Sequence, residues 1–535
     1  MLFVWPDDTK YILIDYTVYQ QLKYLSMNYK ILIKSARLLG LGAALCFTLC
    51  VNAQSNRNTP RDPKEIERLR KVVEGDFRNT DAHQQYLAAV GATTSQARDQ
   101  YEKWNSLNPS TEEIPMALAQ ALMRQERPEL KEWAERALKI NPRQAEALSM
   151  LGIEAELNGD QAKKTEYMKR AKEANPQSAD YALYYAMCFE HTDVDKFRKL
   201  MIGLADEFPG SERGALGIYW AASSFTDTKR RAETYELLRS KYRPDLSSIS
   251  GSGMSQYHEL LLKENPAKAT ELADFMLGLD SLRGRNEWTQ RKKFSQLIVD
   301  ADELARNKKF PEAISLLKSA PIVAYSSSKE LLMIRMAKAT LSNGDAKSAY
   351  DSLIAYYAFN PTVEVMNTLQ VAATKLSKKE DDVQDDIWKL RKGKMKAATP
   401  FKLYNYLTKD SLALTDLQGK VILLTYWFPG CAPCRAEFPS FENVVHKFGR
   451  DKVAYVAINV DPEQNPWVIP FVTKNKYSFV PLLDEPAKRG NLITRGQPTN
   501  YLLDKNGNIV FSNFRTDSNT EDMLERMIRE LIKKS

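Results

Sequence analysis

The sequence predicts a multidomain chain of 535 residues: an all-α array of helical hairpins, then a smaller α/β domain with a central mixed sheet. Two patterns carry this expectation. Pro109, Pro142, Pro176, Pro209 and Pro244 recur at separations of 33, 34, 33 and 35 residues through a stretch rich in helix formers, and such a period marks stacked two-helix units. Near the C-terminus the texture changes. Residues 421–427 and 453–460 are short apolar runs of β-branched and aromatic side chains, the composition of buried strands.

In chain order, Lys30, Lys34 and Arg37 form a positive region, residues 38–49 an apolar core, and Val51-Asn52-Ala53 a cleavage sequence. Together they predict a secretory signal peptide over 27–53, cut before Gln54, with 1–26 an upstream extension. The apolar run is too short to read as a membrane span. Lipid attachment at Cys46 or Cys50 is disfavoured, because Leu45 and Leu49 stand where a small residue is expected. Export to the periplasm or cell envelope follows as the expected location.

Residues 54–72 read as a lead-in and 73–391 as the helical region. In its clearest unit Leu148, Leu151, Gly152 and Ala155 share one face, Gly159-Asp160 makes the turn, and Tyr167 and Ala171 lie on the return helix before Asn175-Pro176. In the next unit Tyr181, Tyr184, Tyr185 and Cys188 fall in register with that first face, so Cys188 is expected to be a buried, inert thiol. Beyond Pro244 the rhythm weakens. Residues 247–253 read as a polar, glycine-bearing interruption; helices resume over 257–262, 267–277, 310–317, 329–341, 346–357 and 363–376, and hairpins continue to about Arg391. The region resembles tetratricopeptide repeats. That resemblance implies a surface for a peptide or protein, against the plainer reading of a spacer.

The domain over 392–535, whose first residues form a link, carries the chemistry. Phe428-Pro429-Gly430 breaks the strand at 421–427 and leads into Cys431-Ala432-Pro433-Cys434. If a helix begins at Cys431, its sulfur lies beside unpaired backbone N–H groups, which favour thiolate. Cys434 is one turn further on, placed to close a disulfide. A structural disulfide or half a zinc site would use the same spacing, but the remaining cysteines and four histidines are scattered. No metal or cofactor is expected.

These residues resemble the thioredoxin superfamily, and within it the TlpA- and ResA-like thiol–disulfide oxidoreductases, over 396–535. Arg495-Gly496-Gln497-Pro498-Thr499 matches the family's cis-proline loop, residues 504–511 read as a hairpin, and Met523, Leu524, Met527, Ile528, Leu531 and Ile532 form one face of a closing helix. The resemblance implies that Cys431 is the nucleophile, Cys434 the resolving thiol of a redox-active pair, and Pro498 a cis residue beside them. Glu437 would accept the proton of Cys434, its plainer alternative being an exposed first-turn glutamate. Trp427, Phe428, Gln497, Pro498 and Thr499 would line the client site; Arg435 reads as a surface or substrate-edge charge. Gly430 departs from relatives that carry tryptophan there.

The implied partners are disulfide-containing proteins and an external thiol donor. A net charge of +8 spread over 535 residues argues little for nucleic acid, and none is expected as a partner. Two other function classes use the same sequence: a thioredoxin-fold thiol peroxidase, although Phe428 stands where such enzymes place threonine, and a repeat-based scaffold with a redox-inactive domain.

Overall fold

The computed structural model describes residues 62–534 apart from Tyr325. The extension over 1–26, the signal over 27–53, its cleavage site, Cys46 and Cys50 lie outside the described residues. The chain forms two compact units, one up to Glu154 and one from Ala155 onward.

In the first unit, α1 (Pro63–Gly75), α2 (Thr80–Val90), α3 (Ser95–Leu107), α4 (Glu113–Arg124) and α5 (Leu130–Ile140) precede α6 (Ala145–Leu157), whose last turn belongs to the second unit. Helix α1 takes up most of the described part of the expected lead-in. Tyr86, Tyr101 and Trp104 fill the core between α2 and α3, and buried His83 bonds the Tyr101 hydroxyl at 2.7 Å.

The second unit continues with α7 (Gln161–Ala174), α8 (Ala179–Met187), α9 (Val194–Glu207), α10 (Glu212–Ser223) and α11 (Thr228–Lys241). The periodic prolines have a local cause. Pro109, Pro142, Pro176 and Pro209 each follow the C-cap residue of α3, α5, α7 and α9, where a residue that cannot extend the helix ends it cleanly. Asp160, Ser178, Asp193, Ser211 and Asp227 restart it by accepting a backbone N–H of the first turn.

Two expectations need correction. The fully buried face of α8 is Ala182, Leu183 and Ala186, which pack against Phe197, Met201 and Leu204 of α9; Tyr181, Tyr184 and Tyr185 are only half-buried. Cys188 is buried at the end of α8, and burial pushes its thiol pKa up. The expected break at 247–253 is instead the start of α12 (Ser248–Glu264). Ser247 caps it, and Gly253 lies so near Leu238 that a Cβ would come within 2.4 Å of its side chain. Glycine there serves close helix packing.

Next come α13 (Pro266–Leu277) and the 22-residue α14 (Arg285–Arg306), the latter absent from the sequence expectation. Its Trp288, Phe294, Leu297, Ile298 and Ala301 are buried at helical spacing, but Gly284 supplies no side-chain cap to announce it. Helices α15 (Phe310–Lys318), α16 (Ser328–Ser342), α17 (Ala346–Tyr357), α18 (Val363–Lys375) and α19 (Glu380–Lys392) complete the array.

The chain then enters a mixed six-stranded sheet of order β1-β8-β7-β4-β5-β6, with β1 (Lys396–Ala397), β4 (Val421–Trp427), β5 (Val453–Asn459), β6 (Val480–Leu483), β7 (Thr499–Leu503) and β8 (Asn508–Ser512). Strands β4, β5 and β6 are parallel; β7, β8 and β1 add antiparallel edges. A separate ribbon joins β2 (Lys402–Tyr404) and β3 (Ser411–Ala413). All seven residues of β4 are buried. Val421, Leu423 and Trp427 face a core shared with α20 (Ala432–Val445) and α22 (Glu521–Lys534), while Ile422, Leu424 and Tyr426 pack with Val456, Ile458 and Leu482. Helix α21 (Asn465–Lys474) adds Val468 and Phe471 to the first core.

The helical array and the sheet share a polar seam inside the second unit. Arg391 of α19 lies 2.7 Å from Glu530 of α22, both side chains almost wholly buried. Tyr357 donates to Glu530 at 2.6 Å, Arg391 Nε donates to the Ala358 carbonyl at 2.8 Å, and the guanidinium sits 4.9 Å over the Phe511 ring.

Candidate active site

Strand β4 ends at Trp427, and the chain turns through Phe428-Pro429-Gly430 before α20. Cys431 closes the turn by donating its N–H to the Phe428 carbonyl at 2.9 Å. It is the N-cap of α20, and its sulfur accepts the Cys434 N–H at 3.3 Å. Pro433 occupies the first turn, where a missing N–H costs nothing. Cys431 and Cys434 are joined as a disulfide, the first 4% exposed and the second 0%. Once reduced, Cys431 carries its sulfur at the positive end of a helix, which stabilises thiolate over thiol.

Glu437 lies one turn after Cys434 on the same helical face. Contrary to an exposed first-turn glutamate, it is buried. Asn500 of β7 donates to its Oε2 at 2.9 Å, the Thr516 N–H to its Oε1 at 3.2 Å, and Arg515 stands 3.6 Å away. Burial raises its pKa, an effect these three partners oppose without reversing. A carboxyl so placed is a buried, hydrogen-bonded group rather than a surface charge.

The Gln497–Pro498 peptide is cis, and Pro498 is buried at the start of β7. Thr499 is also buried, its hydroxyl donating to Gly496 O at 2.6 Å. Gln497 and Phe428 are half-buried. Trp427 is corrected from a client-lining residue to a core one: it is 0% exposed and packs on Phe438, Phe471 and Phe479. Its place as the last residue of a wholly buried strand puts it there. Arg435 is no surface charge either. Its Nη1 donates to Pro429 O at 2.6 Å, and its Nη2 lies 3.6 Å from Glu156 of α6.

Sequence reasoning did not find Gln464, Asn500 or Glu156. Gln464, 1% exposed, accepts the Gly430 N–H at 2.6 Å. Asn500 left a signal, a lone amide inside an apolar strand. Among the described residues no group of three or more His, Cys, Asp or Glu side chains could hold a metal ion, and no helix is long and apolar enough to cross a membrane.

A mixed sheet with a cysteine pair at the N-terminus of its first long helix and a cis-proline immediately before β7, the strand paired with β4, defines a thioredoxin-like redox domain. The AhpC/TSA family model matches residues 395–512. The chain is 33% identical over 132 residues to thiol-disulfide oxidoreductase ResA of Halalkalibacterium halodurans, covering 24% of this chain and 70% of that one. It is 28% identical over 124 residues to the thioredoxin-like protein YneN of Bacillus subtilis, covering 23% and 71%. A solved DsbF homologue from Corynebacterium diphtheriae is 27% identical over 25% of this chain and 87% of that one, with a TM-score of 0.23. The protein belongs to the ResA family of thiol–disulfide oxidoreductases.

Proposed function

We propose that the protein is exported and reduces disulfides in client proteins through Cys431 and Cys434. The observation that carries this reading is the Cys431–Cys434 pair at the start of α20 with the buried Glu437 one turn behind it. The Cys431 thiolate attacks one sulfur of a client disulfide; that S–S bond breaks and one client thiolate leaves. Cys434 loses its proton to Glu437 and attacks the Cys431 sulfur, expelling the second client thiolate. Two electrons pass to the client, and the protein is left oxidised. An external dithiol donor returns it to the reduced state. Phe428, Gln497 and Pro498 form the client edge in this reading, and the helical region, tetratricopeptide-like in its period, selects or positions clients.

The test follows reduction of a disulfide peptide by the reduced protein. Cys431→Ser abolishes turnover, whereas Cys434→Ser still attacks and accumulates mixed disulfides; variants that match the parent would leave the scaffold reading in its place. The AhpC/TSA match supports peroxidase chemistry as a second reading. Consumption of hydrogen peroxide that is lost in Cys431→Ser, with no peptide reduction, would favour it.

A further inference from the structure

The peptide plane between Pro429 and Gly430, one plane back from Cys431, has both of its polar ends held by side chains from outside the turn. Its carbonyl accepts from Arg435 at 2.6 Å; its N–H donates to the buried Gln464 at 2.6 Å. The plane is the centre of the turn closed by the Cys431 N–H and the Phe428 carbonyl. Pro-Gly at the centre of such a turn suits two forms, types I and II, which differ by a flip of this plane. Glycine offers little steric resistance to the flip. A flip here would break both side-chain bonds at once, so the pair holds the turn in one form.

Arg435 is itself held by the helical region. Glu156 of α6 pairs with it at 3.6 Å and with Lys164 at 2.8 Å. Burial would raise the Glu156 pKa, but the two cations outweigh it and the net shift is downward, so Glu156 stays ionised. The turn after α6 sits tightly on the redox domain. A Cβ on Gly159 would lie 2.7 Å from Asn475 Nδ2 and 3.2 Å from the Phe471 carbonyl, and Asp160 lies 3.6 Å from Lys474.

We propose that Arg435 is a positioning residue for the dithiol, clamping the Pro429–Gly430 peptide, and that Glu156 couples the helical region to the redox chemistry through it. This rests on the thiol–disulfide reading. Its role is to fix where the Cys431 sulfur stands, and misplacement of a reacting group by about 1 Å costs about 100-fold in rate.

The experiment uses the full chain with Arg435→Gln, Arg435→Lys, Glu156→Gln and the Glu156→Gln/Arg435→Gln double variant. Two readouts are taken: the rate of disulfide-peptide reduction, and the pH dependence of alkylation mapped to Cys431. Arg435→Gln should slow reduction about tenfold or more and move Cys431 alkylation to higher pH. Arg435→Lys should restore the alkylation profile, through its charge, more than the rate, because an ammonium lacks the guanidinium fork. Glu156→Gln should slow reduction in the parent and have no further effect in Arg435→Gln. The proposal is overturned if Arg435→Gln changes both readouts less than twofold, or if Glu156→Gln has the same effect in both backgrounds. Should Arg435→Gln not fold, Glu156→Gln set against Arg435→Lys supplies the same comparison. A parent inactive on peptides would defeat the oxidoreductase reading, while the alkylation profiles would still decide the clamp.

Discussion

Arg391 is the residue whose loss should cost this protein most outside the redox site. Its side chain is 1% exposed and that of Glu530 8% exposed, so neither charge can turn to water when the other is removed. Arg391→Ala leaves the Glu530 carboxylate buried with Tyr357 as its remaining partner, and the loss of one member of such a pair costs about 3–5 kcal/mol. The lost bond to Ala358 O adds about 1 kcal/mol. Tyr357→Phe, which removes one hydrogen bond to a charged acceptor, should cost less, about 1.5–3 kcal/mol. Arg391 Nη2 has no hydrogen-bond partner, so the pair does not recover all of its desolvation. Arg391→Met combined with Glu530→Leu should therefore return most or all of the stability. Urea unfolding followed by tryptophan fluorescence measures all three against the parent. An Arg391→Ala shift below about 1 kcal/mol, or a double variant no better than the single, would mean that the buried pair contributes little to the fold.

Two further outcomes concern pH. The raised carboxyl of Glu437 accepts a proton only once ionised, so release of the mixed disulfide should accelerate as pH rises through a value above the usual glutamate range; Glu437→Gln should lose that inflection and slow release about 100-fold, measured by rapid quench. Unchanged profiles would remove Glu437 from the mechanism. Buried His258 has no hydrogen bond to either ring nitrogen, and burial, with Arg291 adding to it and Glu259 opposing, lowers its pKa to about 4. The unfolded chain, with its histidine near 6.5, binds more protons between those values. Stability should therefore fall by about 3 kcal/mol as pH drops from about 6.5 to about 4. His258→Phe, packing against the edge of Trp288, should flatten that slope in urea titrations; parallel curves for parent and variant would sink the assignment.

The sequence made legible whatever local rules govern. Helix stops were visible because a proline follows a C-cap, and the redox turn because Pro-Gly separates a strand from a dithiol. Long-range packing was hidden. Helix α14 lacks a cap signal, α12 runs through serines and glycines that serve close approach to Leu238, and the apolar face expected of α22 contains Glu530. Arg435 illustrates the limit most clearly. Its residue type fits a surface charge, and only the fold brings Glu156, far off in sequence, to within 3.6 Å of it.

That contact gives the charged seam a second consequence. An apolar seam would adhere in several neighbouring positions, whereas Arg391 and Glu530 meet in one alone, since any slip leaves two buried charges apart. An ion pair at Arg435 tolerates little displacement of α6 relative to α20. If Arg391 and Glu530 set this register, the Arg391→Met/Glu530→Leu variant should recover urea stability yet lose the kinetic difference between Arg435→Gln and its own background. If stability and that difference return together, the seam is adhesive only, and the tight seat of Gly159 against α21 alone fixes the placement of Glu156.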